Sequence, residues 1–451
     1  MASLSFIKDR LLRFALYLRG AFWAIPATLL LLAGLLALTT VSLDHYFPDI
    51  ITASLLQQSD TSFDIKSILS TTGAAFLGVA GVSFSVTIAS LTLASQQFGP
   101  RLIRNFIEDR FTKTVLGFLV ATFLYCMLSI QLYSLLPHNP GDIPAFTLFT
   151  TLILTVVDLL FLVLFIHHIC VSIQADSVIH GVYNQLLTCI DSLLPDDDSS
   201  QSDQTIGDSV FNQQVEKNGY QVHALCNGYI QQIDTRSLLE YCHTHQLQAK
   251  FQHRAGDYLL SGSILASILG KTYPDQLDRE INSFVATGYT RSSQQDLEYC
   301  IRQLVEVALR ALSPGINDPF TAMTCIDRLG TGLSIIARRP ERQALHFDAE
   351  GEPRLWIAVS SYKGLVDTAF NQIRQTATEH IDVTIRMLEI IALTIEQTTR
   401  QEQVEALFNQ AQLIHAASLD PKILKHDQVA IEMRYEKIKQ VLEGKYSADT
   451  N

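Results

Sequence analysis

The chain lacks the motifs from which an activity is usually read. It has no GxSxG elbow, no HExxH pair, no phosphate-binding loop and no dinucleotide fingerprint. No catalytic residue is assigned, and no enzymatic activity or cofactor is expected. None of its seven cysteines stands at CxxC spacing from another. Cys126, Cys170, Cys189, Cys226, Cys242, Cys300 and Cys325 are odd in number and scattered, which speaks against a disulfide framework and fits reduced thiols in the cytosol. Basic residues are few, 33 Lys and Arg against 45 Asp and Glu, for a formal net charge of -12. Nucleic acid is therefore excluded as the main partner, because phosphate binding needs clustered Lys and Arg. Charge is missing altogether from Thr71 to Ala94, and no apolar run long enough to span a membrane follows Cys170.

What is present is apolar. Hydrophobic residues make up 48% of the chain and charged residues 17%, a mixture that fits a part-membrane, part-soluble protein. The uncharged run 71–94 is long enough to cross a hydrocarbon core of about 30 Å. Gly73, Gly78, Gly81, Ser83, Ser85, Thr87, Ser90 and Thr92 interrupt it. Small pairs at helical spacing, Ala74/Gly78 and Gly81/Ser85, let helix backbones approach closely. Such a span is either packed among other helices or lines a wet path, with Ser83, Thr87 and Ser90 as path residues.

In chain order, 1–20 reads as a basic amphipathic helix lying on the bilayer, with Lys8, Arg10, Arg13 and Arg19 against Asp9; a cleaved signal peptide is the alternative. A transmembrane domain over 21–194 holds four spans, at about 21–43, 71–94, 114–136 and 145–170, with a helical extension. Lys and Arg concentrate in the N-terminal segment and the 95–113 loop, not in 44–66 or 137–144. The positive-inside rule then puts the N-terminus and everything after the fourth span in the cytoplasm. An acidic linker covers 195–218. Residues 219–270 form a small β-rich module, with Asp234 as the N-cap of a short helix. A mainly helical domain covers 276–445. It includes a hairpin at 344–359 turning at Glu350-Gly351 and helices over 363–398, 401–418 and 422–443. The fold class is thus a four-helix membrane protein with a cytosolic α+β region.

Several constellations stand out. In RALSPGINDPFTAMTCIDRL (310–329), Pro314-Gly315 stops one helix, Asp318 caps the next and Pro319 takes its first position. Asn317, Asp318 and Thr321 then project from a tight turn, either as a structural corner or as a ligand or subunit contact. Asp327 follows on the same helix. Asp158 lies inside the fourth span, where a carboxylate costs several kcal/mol, roughly 3 on insertion scales, and faces a bundle interior. It either meets a Ser or Thr of the second span or serves a proton or cation path. Arg101 and Arg104 share a helix face at the exit of the second span, as headgroup anchors or as a cationic ring at a cytosolic mouth. His167 and His168 are adjacent and do not share a face, so they meet headgroups or the 95–113 loop rather than a metal. Cys242, His243 and His245 lack a second ligand pair at zinc spacing, and no metal is expected. Asp296, Glu298 and Glu306 read as a solvated helix face.

Three of these stretches carry a resemblance: GVAGVSFSVTIASLTLASQQFGPRLIRNFIEDR (78–110), FIHHICVSIQ (165–174) and the 310–329 motif. The chain resembles the bacterial predicted inner-membrane proteins grouped as domain of unknown function 2254, over nearly its whole length to about residue 400. The matching positions are Ser95, Gln96, Phe98, Pro100 and Arg101, then His167 and His168, then Pro314, Asn317, Asp318, Pro319, Thr321 and Asp327. The resemblance implies a multi-pass membrane domain followed by a large cytosolic region. It implies no particular activity.

The sequence therefore leads to a homo-oligomeric ion channel or channel-like transporter of the bacterial inner membrane, with the lipid bilayer as partner and the solute, ion or small molecule, unassigned. The alternative is a non-conducting scaffold or sensor whose cytosolic domain binds a ligand or protein near 313–321.

Overall fold

The structure is a computed structural model that describes residues 23–47, 65–99, 109–136, 144–194, 205–421 and 423–448. The basic segment 1–20, the pair Arg101 and Arg104, the turn beginning at Pro137 and the acidic stretch 195–204 lie outside the described residues. Two compact units divide the chain, one ending at Gln174 and one beginning at Ala175.

The first unit holds α1 (Ala24–Tyr46), α2 (Ile65–Phe98), α3 (Arg110–Leu135) and α4 (Ala145–Ser172). Each is long and apolar enough to cross a membrane. The hub is the third span. Half of the apolar stretch of α3 is buried, against 22% for α1 and 17% for α2 and α4, and α3 packs against all three other helices. Gly117 makes this possible, because a Cβ there would stand 2.9 Å from the backbone Cα of Pro26 in α1. The second span, for all its small residues, packs on one face only, through Gly73, Phe76, Ala80, Ser83 and Thr87. Its other small residues point outward. Ala74 and Ser85 are exposed, and Gly78 and Gly81 have nothing within 4 Å of where a Cβ would stand.

The second unit begins with α5 (Ala175–Leu193) and α6 (Thr205–Asn218). The later part of the expected linker is thus a helix. It is ordered by Phe211 and Val215, which bury against Leu345. Then follow β1 (Tyr220–His223), β2 (Gly228–Ile233), α7 (Thr235–Thr244), β3 (Gln248–Phe251), β4 (Tyr258–Leu259), β5 (Ile264–Leu269), α8 (Leu277–Ser283) and β6 (Val285–Gly288). Asp234 caps α7 by accepting from the Ser237 amide at 3.1 Å. Beyond them come α9 (Leu297–Ala311), α10 (Pro319–Arg338), β7 (Leu345–Phe347) and β8 (Pro353–Ile357).

The strands form two sheets, one ordered β1-β5-β3-β8-β7 and one ordered β4-β2-β6. The β7–β8 hairpin turns at Glu350-Gly351, where Gly351 takes φ +83°, and it does not stand alone. Its second strand pairs parallel to β3, Ala249 opposite Leu355 and Phe251 opposite Ile357. The β module therefore takes three strands from beyond residue 270, β6 in the smaller sheet and the β7–β8 hairpin in the larger. Val222, Ile230, Phe251, Leu265, Ile268 and Leu355 fill the core, with Leu238 and Cys242 of α7 and Ile281 of α8 packed in the same cluster.

The chain closes with α11 (Tyr362–Thr376), α12 (Ile381–Gln397), α13 (Gln401–Ala417) and α14 (Lys425–Ala448). The single helix expected over 363–398 is broken by a 3-10 turn at Ala377–Glu379. The Thr384 hydroxyl holds the break by donating to the carbonyls of Ala377 and His380, both at 3.2 Å.

The acidic face of α9 is not solvated as expected. Asp296 and Glu298 are only 4% and 8% exposed. Asp296 caps α9 through the Tyr299 amide and accepts from Arg291 Nε at 2.7 Å, while Glu298 accepts from Arg254 at 2.6 Å.

Candidate functional site

In the first unit, polar groups gather along the seam where α3 and α4 pack. The seam is fastened at both ends by carboxylates. At one end Asp44, from the last turn of α1, accepts from the amides of Phe146 and Thr147 at 2.8 and 3.0 Å and from the Thr147 hydroxyl at 2.6 Å. A side chain of one span thus satisfies the orphan donors at the start of another. At the other end Asp109 caps α3, accepting from the Thr112 amide at 3.0 Å. The same carboxylate meets His168 Nε2 of α4 at 2.9 Å. Burial opposes the charge on Asp109, but the Thr112 hydroxyl and amide and the His168 ring hold its carboxyl below the usual range. His167 points outward and is exposed. The two histidines part company, and only His168 joins the 95–113 loop.

Midway between these clamps lies Asp158. It is fully buried, and neither carboxylate oxygen has a hydrogen-bond partner. Its neighbours are on α3 rather than on the second span: the Thr122 hydroxyl, itself unbonded, and the Cys126 thiol. Ser129, one further turn along α3, is also buried and unbonded. Tyr125 links the seam to α1, sharing a 3.1 Å hydrogen bond with Thr40 and donating to the Thr147 carbonyl at 3.3 Å. Residues 122, 126 and 129 on α3, and 147, 151 and 158 on α4, recur at helical spacing, which is why both faces meet.

On the second span, two of the three named residues lie on the buried face that Phe76 and Ala80 share. Ser83 and Thr87 are buried, 3% and 8% exposed, with the Thr87 hydroxyl donating to the Ser83 carbonyl at 2.8 Å. Ser90 is half-buried.

In the second unit the 310–329 motif builds a corner. Asp318 accepts from the Thr321 amide at 3.1 Å and from its hydroxyl at 2.6 Å, and Pro319 opens α10. Asn317 sits at φ +51°, and the Asp318 amide closes the turn on the Ala311 carbonyl at 2.8 Å. Pro314 and Asn317 are exposed, as is Phe320, at 76%. Asp327 does not join this corner. It takes a two-pronged ion pair from Arg386 of α12, at 2.7 and 3.0 Å.

Among the described residues, His243, Asp348 and Glu350 bring potential metal-ligand atoms within 4.8 Å of one another. Arg354 Nε sits 2.8 Å from the same Asp348 oxygen that meets His243 at 3.0 Å. A guanidinium thus stands where a cation would have to bind. Cys242 is buried in the sheet core, and His245 packs on Tyr241.

The comparisons agree with this architecture. An uncharacterized protein from Mycobacterium tuberculosis is 27% identical over 419 residues, which cover 89% of this chain and 77% of the relative. An uncharacterized protein from Mycobacterium bovis matches with the same identity and coverage. No solved structure matches the chain. With four apolar helices in its first unit and a match over residues 19–393, the chain belongs to the family described as predicted membrane protein (DUF2254).

Proposed function

We propose that this protein is a channel-like transporter that carries a small cation across a bacterial inner membrane, with Asp158 as its central site. One observation carries the reading: a carboxylate at mid-span, fully buried, with neither oxygen hydrogen-bonded. Intramembrane carboxylates are costly, about 3 kcal/mol on insertion scales, and they mark ion and proton paths. A cation that binds and leaves relieves that cost for part of each cycle. The basic loops favour a cytosolic N-terminus and a cytosolic second unit. In a homo-oligomer, the outward small-residue face of α2 (Ala74, Gly78, Gly81, Ser85) suits contact between copies, and Arg101 and Arg104 would follow it on the cytosolic side.

A second reading, a scaffold or sensor, is favoured by Phe320, a large apolar side chain exposed beside the Asp318 cap. Ion flux from liposomes holding the purified full chain separates the two. Cation flux that Asp158→Asn abolishes supports transport. Folded protein that passes no cation under voltage, osmotic or pH steps overturns it in favour of the scaffold.

A further inference from the structure

We infer that the cation served by Asp158 is the proton, that it arrives from the Asp44 end along a ladder of hydroxyls, and that an apolar plug closes the seam toward Asp109 and His168. The inference rests on the reading of Asp158 as the central site and adds its substrate and its one-sided access.

The substrate follows from the ligands. Hard metal cations take about six or more oxygen ligands. Among the described residues no oxygen or nitrogen is hydrogen-bonded to either Asp158 oxygen, and the polar side chains that interact with it are the Thr122 hydroxyl and the Cys126 thiol. The carbonyls of both helices are committed to their own hydrogen bonds. A proton needs a single oxygen, and the carboxylate supplies it.

The access follows from the two halves of the seam. From Asp158 to Thr147 is about 16 Å along α4, and from Asp158 to His168 about 15 Å. In the first half lie Ser129, Tyr125, Thr151, Thr147 and Thr40, all at most 5% exposed. Tyr125 bridges α1, α3 and α4, and Thr147 reaches Asp44. Hydroxyls both accept and donate. At rest the Thr151 and Tyr125 hydroxyls donate to the Thr147 carbonyl, and Ser129, Thr122 and Asp158 stand unbonded. Delivery therefore requires these hydroxyls to rotate toward one another, each taking a proton on one lone pair as another leaves, until the Asp158 carboxylate becomes a carboxylic acid. On α3 and α4 the second half has no such group, and the Thr87 hydroxyl on the buried face of α2 is spent on the Ser83 carbonyl. Residues 115–121 of α3 and 159–166 of α4 are apolar without exception. Phe76, Val115, Leu119 and Phe165 form one buried cluster there with Phe161 packed on it, and Phe118 meets Phe161 edge-on at 5.1 Å. Among the described residues, the titratable groups facing the seam are Asp44 of α1, Tyr125 and Cys126 of α3, and, beyond the plug, Asp109, Lys113 and His168. The described part of α2 carries no charge after Lys66.

The test uses full-length protein in liposomes loaded with a pH-sensitive dye, with valinomycin and potassium setting the voltage. Proton flux is expected, about tenfold or more lower in Asp158→Asn, several-fold lower in Tyr125→Phe and Thr151→Val, and several-fold higher in Phe161→Ala. Flux carried by sodium or potassium in place of protons, still lost in Asp158→Asn, overturns this inference and keeps the transport reading. Cation flux indifferent to Asp158→Asn overturns both. Proton flux unmoved by Tyr125→Phe, Thr151→Val and Phe161→Ala overturns the ladder and the plug. An independent readout is modification by a hydrophobic carbodiimide, which adds to protonated carboxyls in apolar sites. Mass spectrometry should find Asp158 modified in folded protein, and its absence there overturns the proton assignment.

Discussion

At the scale of residues, this chain places charge where partners are arranged to hold it, and Asp158 stands out against that background. Arg291 pairs with Asp296 at 2.6 Å, with side chains 17% and 3% exposed. Removing one partner of such a pair leaves a buried charge uncompensated, at a cost of about 3–5 kcal/mol. Arg291→Met is therefore expected to lower the melting temperature of the detergent-solubilised protein far more than Arg302→Met, whose guanidinium is half exposed and 3.7 Å from Glu298. Asp348 gives a pH test. Arg354 and then His243 hold its carboxyl well below the usual range, aided by the Glu352 and Glu350 amides. A depressed carboxyl stabilises the fold above its unfolded value, near about 3.9, and that contribution is lost as pH falls through the folded value. The melting-temperature gap between wild type and Asp348→Asn should be full at pH 7 and close from about pH 4 downward. A gap that stays constant to pH 2 would refute this account of the hairpin turn.

At the scale of elements, close approach decides which helix is the hub. Gly117 lies against the backbone of Pro26 and the Leu29 side chain, so a larger residue must push a whole helix rather than turn a rotamer. Gly117→Val is expected to separate α1 from α3 and to destabilise the membrane unit by about 1–3 kcal/mol, as overpacking does. Gly81→Val, with open space around it, should leave the monomer's stability nearly unchanged. Thermal unfolding in detergent distinguishes the two. The sequence made the spans themselves legible, because hydropathy is a local property, and the Asp234 and Asp318 caps and the Glu350-Gly351 turn were legible for the same reason. The hub was not, since small residues are most frequent on the second span and only contacts reveal that half of its small face is left outward. Nor was the parallel pairing of β3 with β8, made by residues about a hundred positions apart (Ala249 with Leu355). Asp44 reaching Phe146 and Arg254 reaching Glu298 are of the same kind. Asp158 was visible as an anomaly in an apolar run. Its neighbours on the third span were not, because choosing between Thr122 and the hydroxyls of the second span requires the packing.

At the scale of the whole molecule, orientation determines which compartment the hydroxyl ladder faces. In the proposed orientation, with the basic loops on the cytoplasmic side, the Asp44 end faces outside and the Asp109 end the cytoplasm, so a proton entering by the ladder would come from outside. The cysteines allow a direct check. Of the seven, Cys170 and Cys226 are exposed and the other five are buried. Cys226 lies in the second unit, its sulfur 3.2 Å from the Thr287 hydroxyl. In a Cys170→Ser background, a membrane-impermeant maleimide is expected to spare Cys226 in intact spheroplasts and to label it in inverted vesicles. Beyond Ser172 the described residues contain no further helix long and apolar enough to cross a membrane, so Cys226 reports the side to which α4 delivers the chain. Labelling in spheroplasts would reverse the assignment. The ladder would then open to the cytoplasm and the plug would face outward. The same seam would load its proton from inside the cell, and the direction of the flux produced by Phe161→Ala would have to be read with the opposite sign.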